Sequence, residues 1–255
     1  MIRCLAAAML LLFATTSPAQ HAADEYFDSQ AMAQARSDLK QHMGGQALGM
    51  LDVHRLEYQS NDGEGLYVLD GSAWWGGDIN RFKFTAEAEY LAAEDAFEEL
   101  ELQALYSRAV STFFNVNLGV RRDVRPQPGR SFAVVGLEGV APYLFELDAQ
   151  VFASDDGDLS ARLEAEYEIL LSQRLILQPR TEIDVAAHEV SELGIGTGLN
   201  TVEAGLRLRY EIAREFAPYI GVAWKRKFGE TEDFARDEGE TVSSTSLVAG
   251  VRVWF

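Results

Sequence analysis

The sequence predicts an all-β protein, a transmembrane antiparallel β-barrel of about twelve strands with a short N-terminal periplasmic extension. Three observations support this prediction. From residue 51 onward apolar and polar residues alternate, the alternating segments are long, and tight turns alternate with longer polar connections. A closed barrel is the structure, other than a helix, that satisfies its own backbone hydrogen bonds in lipid.

The alternation is clearest in residues 159–169, where odd-numbered positions are apolar and even-numbered positions are polar. The apolar face carries Leu159, Ala161, Leu163, Ala165, Tyr167 and Ile169, and the polar face carries Ser160, Arg162, Glu164, Glu166 and Glu168. Residues 82–90, 143–154 and 202–211 repeat the scheme. A period of two residues indicates a strand with one apolar and one polar face.

Strand length separates a membrane barrel from a soluble β-sandwich, which has the same period. Globular strands average about five or six residues, whereas a tilted membrane strand needs roughly 9–11. Strands are predicted at residues 51–60, 66–75, 79–90, 97–107, 113–123, 131–140, 143–154, 159–170, 175–186, 201–211, 216–227 and 244–255. Pro179 lies inside one of them and removes a backbone donor, for which we expect a local bulge.

The connections and the aromatic residues indicate two membrane interfaces. Residues 124–130, 187–200 and 228–243 form longer or more polar connections, as expected of outer loops, and the intervening turns are short. Aromatic residues are predicted to form a girdle at each end of the strands. The periplasmic girdle contains Trp74, Trp75, Phe82, Tyr106, Phe114, Tyr143, Tyr167, Tyr210 and Tyr219, and the outer girdle contains Tyr58, Tyr67, Tyr90, Phe97, Phe132, Phe152 and Phe228.

The first residues predict export. Arg3 precedes an apolar run at residues 4–14, and Ser17-Pro18-Ala19 provides a cleavage site for signal peptidase. We therefore predict a signal peptide at 1–19, a flexible periplasmic extension at 20–50 and an outer-membrane barrel at 51–255. The last strand ends in Trp254-Phe255, which is typical of the signal that barrel-assembly machinery reads.

Composition excludes several kinds of site. The single cysteine, Cys4, lies in the predicted signal peptide, so the mature chain has no disulfide, thiolate metal site or cysteine nucleophile. A net charge of −18 argues against a nucleic-acid partner, which requires a basic face.

Five long strings in the predicted barrel carry a family resemblance. They are RLEYQ (55–59), LYSRAV (105–110), EAEYEILLSQRLILQPR (164–180), GLNTVEAGLRLRYEIAREFAPYIGV (198–222) and KRKFGETEDFARDEGE (225–240). They resemble the copper resistance protein B family, and the likeness covers residues 51–255. The resemblance implies an outer-membrane barrel of copper tolerance, with the copper ion as its metal and periplasmic copper-handling proteins as partners.

The extension contains the candidate copper ligands. Many members of that family have a long N-terminal segment dense in Met and His, whereas this segment is short. It offers His21, Met32, His42, Met43, Met50 and His54. Thioether and imidazole groups are ligands that copper prefers. The predicted metal site is the densest cluster, His42, Met43, Met50 and His54; the alternative is a flexible segment that happens to contain these residues.

The predicted polar faces carry more acids than bases. The bases are Arg55, Arg81, Lys83, Arg162, Arg180, Arg207, Arg209, Lys225 and Arg252; the acids are Glu57, Asp70, Glu87, Glu89, Glu99, Glu101, Glu146, Asp148, Glu164, Glu166, Glu168, Glu182, Asp184, Glu203 and Glu211. These charges form either a passage that favours cations or a plug of ion pairs that holds the barrel shut.

The predicted outer loops are acidic as well. Asp155, Asp156 and Asp158 precede a second acidic stretch at residues 230–240. Such carboxylates could share divalent cations with the phosphates of lipopolysaccharide, the expected lipid partner, or simply form a solvated face.

The sequence predicts an outer-membrane barrel that binds or passes copper ions. The alternative is a general channel or structural barrel that has lost its copper chemistry. We expect no enzyme: His188 lies three residues from Ser191 in a predicted outer loop, which is weak evidence for a surface hydrolase.

Overall fold

The computed structural model describes residues 24–43, 46–61 and 64–255, without the side chains of residues 40–43, 61 and 64. The predicted signal peptide, residues 1–19, and His21 lie outside the described residues. The chain divides into two units, residues 1–46 and 47–255. The first contains helix α1 (Ser29–Met43). None of the helices in the described ranges has the length and apolar character needed to cross a membrane.

The second unit is a closed barrel of twelve antiparallel strands. They are β1 (Leu48–Asn61), β2 (Glu64–Gly76), β3 (Asn80–Leu91), β4 (Ala96–Ala109), β5 (Phe114–Arg125), β6 (Arg130–Ala141), β7 (Phe145–Ser154), β8 (Leu159–Glu166, continued by Ile169–Leu170), β9 (Leu175–Ala186), β10 (Gly198–Tyr210), β11 (Phe216–Lys227) and β12 (Ser243–Trp254). The predicted fold class is confirmed, and β1 begins at Leu48, so that it includes Met50.

The barrel closes where β12 pairs with β1. Ser60 faces Leu247 at one end of this seam and Asp52 faces Trp254 at the other. Leu51 and Phe255 exchange two backbone hydrogen bonds of 2.8 and 2.9 Å. Phe255 thus completes the seam, and none of the twelve described strands keeps a free edge.

Burial in this barrel is inverted relative to a soluble protein. Outward apolar side chains are exposed, as Leu247 and Phe255 show with exposed fractions of 70% and 72%. Inward charged side chains such as Glu57 and Arg207 are buried. This distribution suits lipid outside and a packed polar lumen inside, and it explains the alternation in the sequence.

The two ends of the barrel differ. The end that contains the start of β1 and the end of β12 has short connections, including residues 77–79 and 142–144; we call it the turn end. The opposite, loop end contains residues 187–197 and 228–242, the latter with helix α2 (Glu230–Glu238). Tight periplasmic turns and longer outer loops are typical of outer-membrane barrels.

The two long loops contact each other at Gly196. Its N–H donates a 2.8 Å hydrogen bond to Thr231 Oγ1, and the N–H of Thr197 donates to Glu230 Oε2 at 2.9 Å. A Cβ at position 196 would lie 2.5 Å from Glu230 Cβ. Only glycine therefore permits this approach of one loop to the other.

The aromatic girdles are only partly as predicted. Tyr58, Tyr67, Tyr90 and Phe97 form a row across β1–β4 at the loop end, with successive ring centroids 5.3, 6.4 and 5.3 Å apart. Phe152 and Tyr219, however, are 2% and 5% exposed and point into the lumen. Phe152 packs there with Leu105 and Val134. Assigning these two rings to the lipid interface was wrong, because strand-end position alone does not determine the face.

Pro179 interrupts the neighbouring strand without a bulge. Tyr167 donates a 3.1 Å hydrogen bond to the carbonyl of Pro179, which has no N–H to return one. The ladder between β8 and β9 is broken at residues 167–168. Arg180 faces Glu166 and Leu177 faces Ile169, so the register is the same on both sides of the break. The expected bulge is therefore absent from this described strand pair. The break in the ladder has a simpler cause, because proline has no backbone N–H to donate.

Replacing Pro179 by valine should repair this break. The β-branched side chain of valine would point outward and suits a strand. The backbone N–H of valine can donate to the carbonyl of Tyr167, and this hydrogen bond should stabilise the barrel by ~1 kcal/mol. Thermal unfolding in detergent would measure the change. Thr181→Val, two residues away and already possessing an N–H, is the matched control. An equal rise in both variants would contradict our explanation.

Candidate functional site

A bulge in β1 turns two adjacent side chains into the lumen. Val53 pairs with Gly71 and Arg55 pairs with Asp70, so His54 has no partner on β2. The register with β12 shifts between Val53 and Leu56 as well. His54 and Arg55 consequently both line an internal cavity of about 10 Å³. Without the extra residue, alternation would place one of the two on the lipid side.

His54 lies beside a buried carboxylate. Its Nε2 atom is 3.1 Å from Asp52 Oδ2, and the exposed fractions of the two side chains are 34% and 9%. Asp52 Oδ1 is buried and has no hydrogen-bond partner among the described residues. Met50 shares this inward face, because β1 has no register shift between Leu48 and Val53. Met50, Asp52 and His54 thus follow one another along this face, with successive Cα atoms about 7 Å apart.

Two of the four predicted copper ligands lie on the same strand. Met50 and His54 lie on one face of β1. His42 and Met43 are the last two residues of α1 in the other unit, and their side chains are not described. Within the described ranges, no three side chains of His, Cys, Asp or Glu form a group that could hold a metal ion. The four-residue copper site stays a prediction.

Five carboxylates stand directly opposite one another on five consecutive strands, β6 to β10. We call them the acidic row: Glu138, Asp148, Glu164, Glu182 and Glu203. Like charges in directly opposed positions destabilise a sheet unless cations separate them.

Two arginine side chains, one on β9 and one on β1, compensate much of the acidic row. Arg180 lies 2.7 Å from Glu164 and 3.2 Å from Glu203, and it also pairs with Glu182. Arg55 lies 3.3 Å from Glu203 and 3.2 Å from Asp70. The two guanidinium groups therefore hold carboxylates of several strands together.

Other ion pairs cross the lumen between strands that are distant in the sheet. Arg162 of β8 reaches Glu87 of β3 at 3.0 Å and Glu101 of β4 at 3.2 Å. Lys225 of β11 reaches Glu89 of β3 at 3.4 Å. These pairs run across the barrel, and they favour the predicted plug over an open passage.

The most deeply buried ion pair joins Glu57 of β1 to Arg207 of β10. The side chains are 0% and 3% exposed, and two hydrogen bonds of 2.9 and 2.8 Å connect them. Tyr219 donates its hydroxyl to Glu57 at 3.0 Å, and Gln59 donates an amide proton at 2.8 Å. Charge-assisted bidentate pairs of this kind are the strong ones, provided that the remaining lone pairs are also satisfied.

Glycine makes room for this pair. A Cβ at position 250 would lie 2.7 Å from Glu57 Cβ and from the Tyr219 ring, and one at position 221 would lie 2.9 Å from Arg207 Cα. The alternation of the sequence predicted that Glu57 and Arg207 face inward, but not that they pair. Inward glycines on neighbouring strands were the available signal, since a missing side chain leaves space for a long one opposite it.

Removing one partner of this pair should be costly. Arg207→Met would leave Glu57 buried without a cation, and we expect a loss of about 3–5 kcal/mol in the free energy of unfolding. Glu57→Gln combined with Arg207→Met should recover much of that loss. Tyr219→Phe, which removes one hydrogen bond, should cost only ~1 kcal/mol. Urea unfolding in lipid vesicles would measure all three, and equal losses in single and double variants would contradict the pairing.

The barrel is similar to a solved outer-membrane structure. The NanC porin in its rhombohedral crystal form superposes with a TM-score of 0.54 at 14% identity, over 80% of this chain and 98% of that one. At this identity the likeness shows the fold alone, an outer-membrane-type barrel.

The sequence comparisons are more specific. The family model described as copper resistance protein B precursor (CopB) matches residues 47–255. A copper resistance protein B homolog of Pseudomonas syringae pv. tomato is 44% identical over 202 residues, which is 79% of this chain and 68% of that protein. Copper resistance protein B of Escherichia coli is 42% identical over 203 residues, 80% of this chain and 68% of that protein. The chain therefore belongs to the copper resistance protein B family.

Proposed function

We propose that this barrel acts in copper tolerance at the outer membrane and binds copper ions at the turn end of its lumen. The observation that supports the binding site is the inward face of β1, where the bulge at His54 places its imidazole beside Asp52 and in line with Met50. The relatives are named for copper resistance, which suggests the metal.

The side chains on this face suit copper chemically. Thioether sulfur favours Cu(I), and imidazole nitrogen binds copper well. The carboxylate of Asp52 can hold the Nε2–H of His54, 3.1 Å away, and this would leave Nδ1 free to bind the metal. Copper is the cargo in this proposal. A separate variant tests whether the sequence-predicted ligands His42 and Met43 add to Met50 and His54.

Copper titration of the purified mature protein tests this site. Met50→Leu combined with His54→Gln should weaken copper binding at least about tenfold, because both metal-binding groups on β1 are removed. His188→Gln, which changes the histidine of a long loop, is the matched control and should bind as the wild type does. Binding that is unchanged in the β1 variant would remove the proposed site.

His42→Ala with Met43→Ala is a separate variant of the same experiment. A loss of affinity comparable to that of the β1 variant would support one four-residue site. A barrel that retains full affinity without His42 and Met43 would restrict the site to β1.

Growth in copper tests the physiological role. We expect a strain that lacks this gene to stop growing at lower copper concentrations than the wild type, and the gene on a plasmid to restore growth. The β1 variant should restore less growth than the His188→Gln control if copper binding matters. Unchanged growth of the deletion strain would count against the copper role.

The second candidate function is a general channel or structural barrel without copper chemistry. The ion pairs across the lumen argue against a freely conducting channel. We propose that the barrel is plugged and has no catalytic activity, so the loop residue His188 can be changed without loss of function.

Conductance in planar bilayers tests the plug. The wild-type barrel should show little steady current, and Arg162→Ala should raise it several-fold, because Arg162 bridges β8 to β3 and β4. Arg226→Ala removes an arginine whose side chain is 44% exposed at the loop end, and it should leave the current low. A wild-type barrel that conducts steadily would favour the channel.

A further inference from the structure

One member of the acidic row, Asp148, has no cationic partner in the described part of the chain. Glu138 lies 2.6 Å from Lys83, and Glu164, Glu182 and Glu203 each pair with arginine. For Asp148, no Lys or Arg of the described residues lies within ion-pair distance. One oxygen accepts a 3.2 Å hydrogen bond from the neutral amide of Gln150, and Oδ1 is buried without any hydrogen-bond partner in this part of the chain.

The unpaired carboxylate lines a cavity of about 50 Å³ in the lumen. Glu164, which faces Asp148 directly across β7 and β8, lines the same cavity, as do Glu87 and the hydroxyl-bearing Thr85. A site that holds one water needs roughly 10–15 Å³, so this cavity has room for a small hydrated ion.

A second unsatisfied acceptor reaches the same cavity. Gln103 is only 4% exposed and lines it. Its amide nitrogen donates to Glu101 and to Gln150, whereas its carbonyl oxygen is buried without a partner among the described residues. Two buried acceptors without donors, Asp148 Oδ1 and Gln103 Oε1, indicate a missing positive charge or donor.

The arginine beside the cavity does not fill this role. Arg162 lines the cavity, but its guanidinium is bonded to Glu87, Glu101 and Asp184 at 3.0–3.2 Å. Its donors therefore point at other carboxylates, and the repulsion between Asp148 and Glu164 is left uncompensated on the Asp148 side.

We propose that this cavity binds a hard divalent cation, Mg²⁺ or Ca²⁺, between Asp148 and Glu164. The carbonyl of Gln103 is a third oxygen ligand, and water completes the coordination. Such ions bind oxygen ligands, and Mg²⁺ in particular keeps several waters while one or two carboxylates hold it.

The proposed ion differs from the copper of the proposed function. The cavity is lined by carboxylate, amide, hydroxyl and guanidinium groups, with no thioether, imidazole or thiolate among them. Soft or borderline copper would gain little there. The ion joins β4, β7 and β8 and neutralises the acidic row, so we assign it a structural role that does not depend on copper binding.

Mn²⁺ binding measured by electron paramagnetic resonance tests the proposal. The purified full-length barrel, first stripped with a chelator, should bind one Mn²⁺ that either Mg²⁺ or Ca²⁺ displaces. Asp148→Asn should weaken this binding at least about tenfold, since the ion loses a charged ligand. Gln103→Met should weaken it less.

Glu166→Gln is the matched control. Glu166 is also a buried lumen carboxylate with an oxygen that has no hydrogen-bond partner among the described residues, and it lines the other cavity. If the ion is held at one site by Asp148 and Glu164, the Glu166→Gln substitution should change the Mn²⁺ affinity by less than about twofold. Equal weakening by the two substitutions would show diffuse attraction to an acidic lumen and would overturn the proposal.

A thermal measurement covers the case in which a variant folds poorly. Mg²⁺ or Ca²⁺ should raise the unfolding temperature of the wild type and not that of Asp148→Asn. The absence of any Mn²⁺ binding by the folded wild type would overturn the proposal without reference to a variant, and would leave water or a protonated Asp148 as the explanation.

Discussion

Closure of the sheet is the constraint on which the rest of this structure depends. Once β12 pairs with β1, every inward side chain of twelve strands enters one narrow space from which lipid is excluded. Many of those side chains are charged. A buried charge without a partner lowers the free energy of unfolding by roughly several kcal/mol. The lumen is therefore stable only where carboxylates and guanidinium groups meet. Arg180 and Arg207 are the clearest examples.

The same constraint explains where function can be placed. Most inward charges form ion pairs with one another, as in the bidentate contact of Glu57 with Arg207, and so cannot bind a metal ion. Two regions of the lumen keep side chains that can bind a metal ion. At the turn end, His54 and Met50 offer nitrogen and sulfur beside Asp52, which suits copper. In the middle of the barrel, Asp148 and Gln103 offer oxygen alone, which suits a hard cation.

The local sequence predicted the strands because alternation and length are properties of single segments. It also predicted which face of β8 is polar, since alternation there is uninterrupted. It did not predict the bulge at His54, because one extra residue changes the facing of a side chain without changing the composition. Phe152 and Tyr219 were assigned to the lipid interface from their positions near strand ends, which do not determine the face, and they point inward.

By itself the sequence determined the barrel, its approximate strand ranges and the family, all of which depend on periodicity or on long matching strings. Only the tertiary structure decided the partners: that Arg162 crosses the lumen to β3, that Met50 and His54 share one face, and that Asp148 has no Lys or Arg partner among the described residues. The physical reason is that register and closure, which involve residues far apart in the chain, determine the distances between charges.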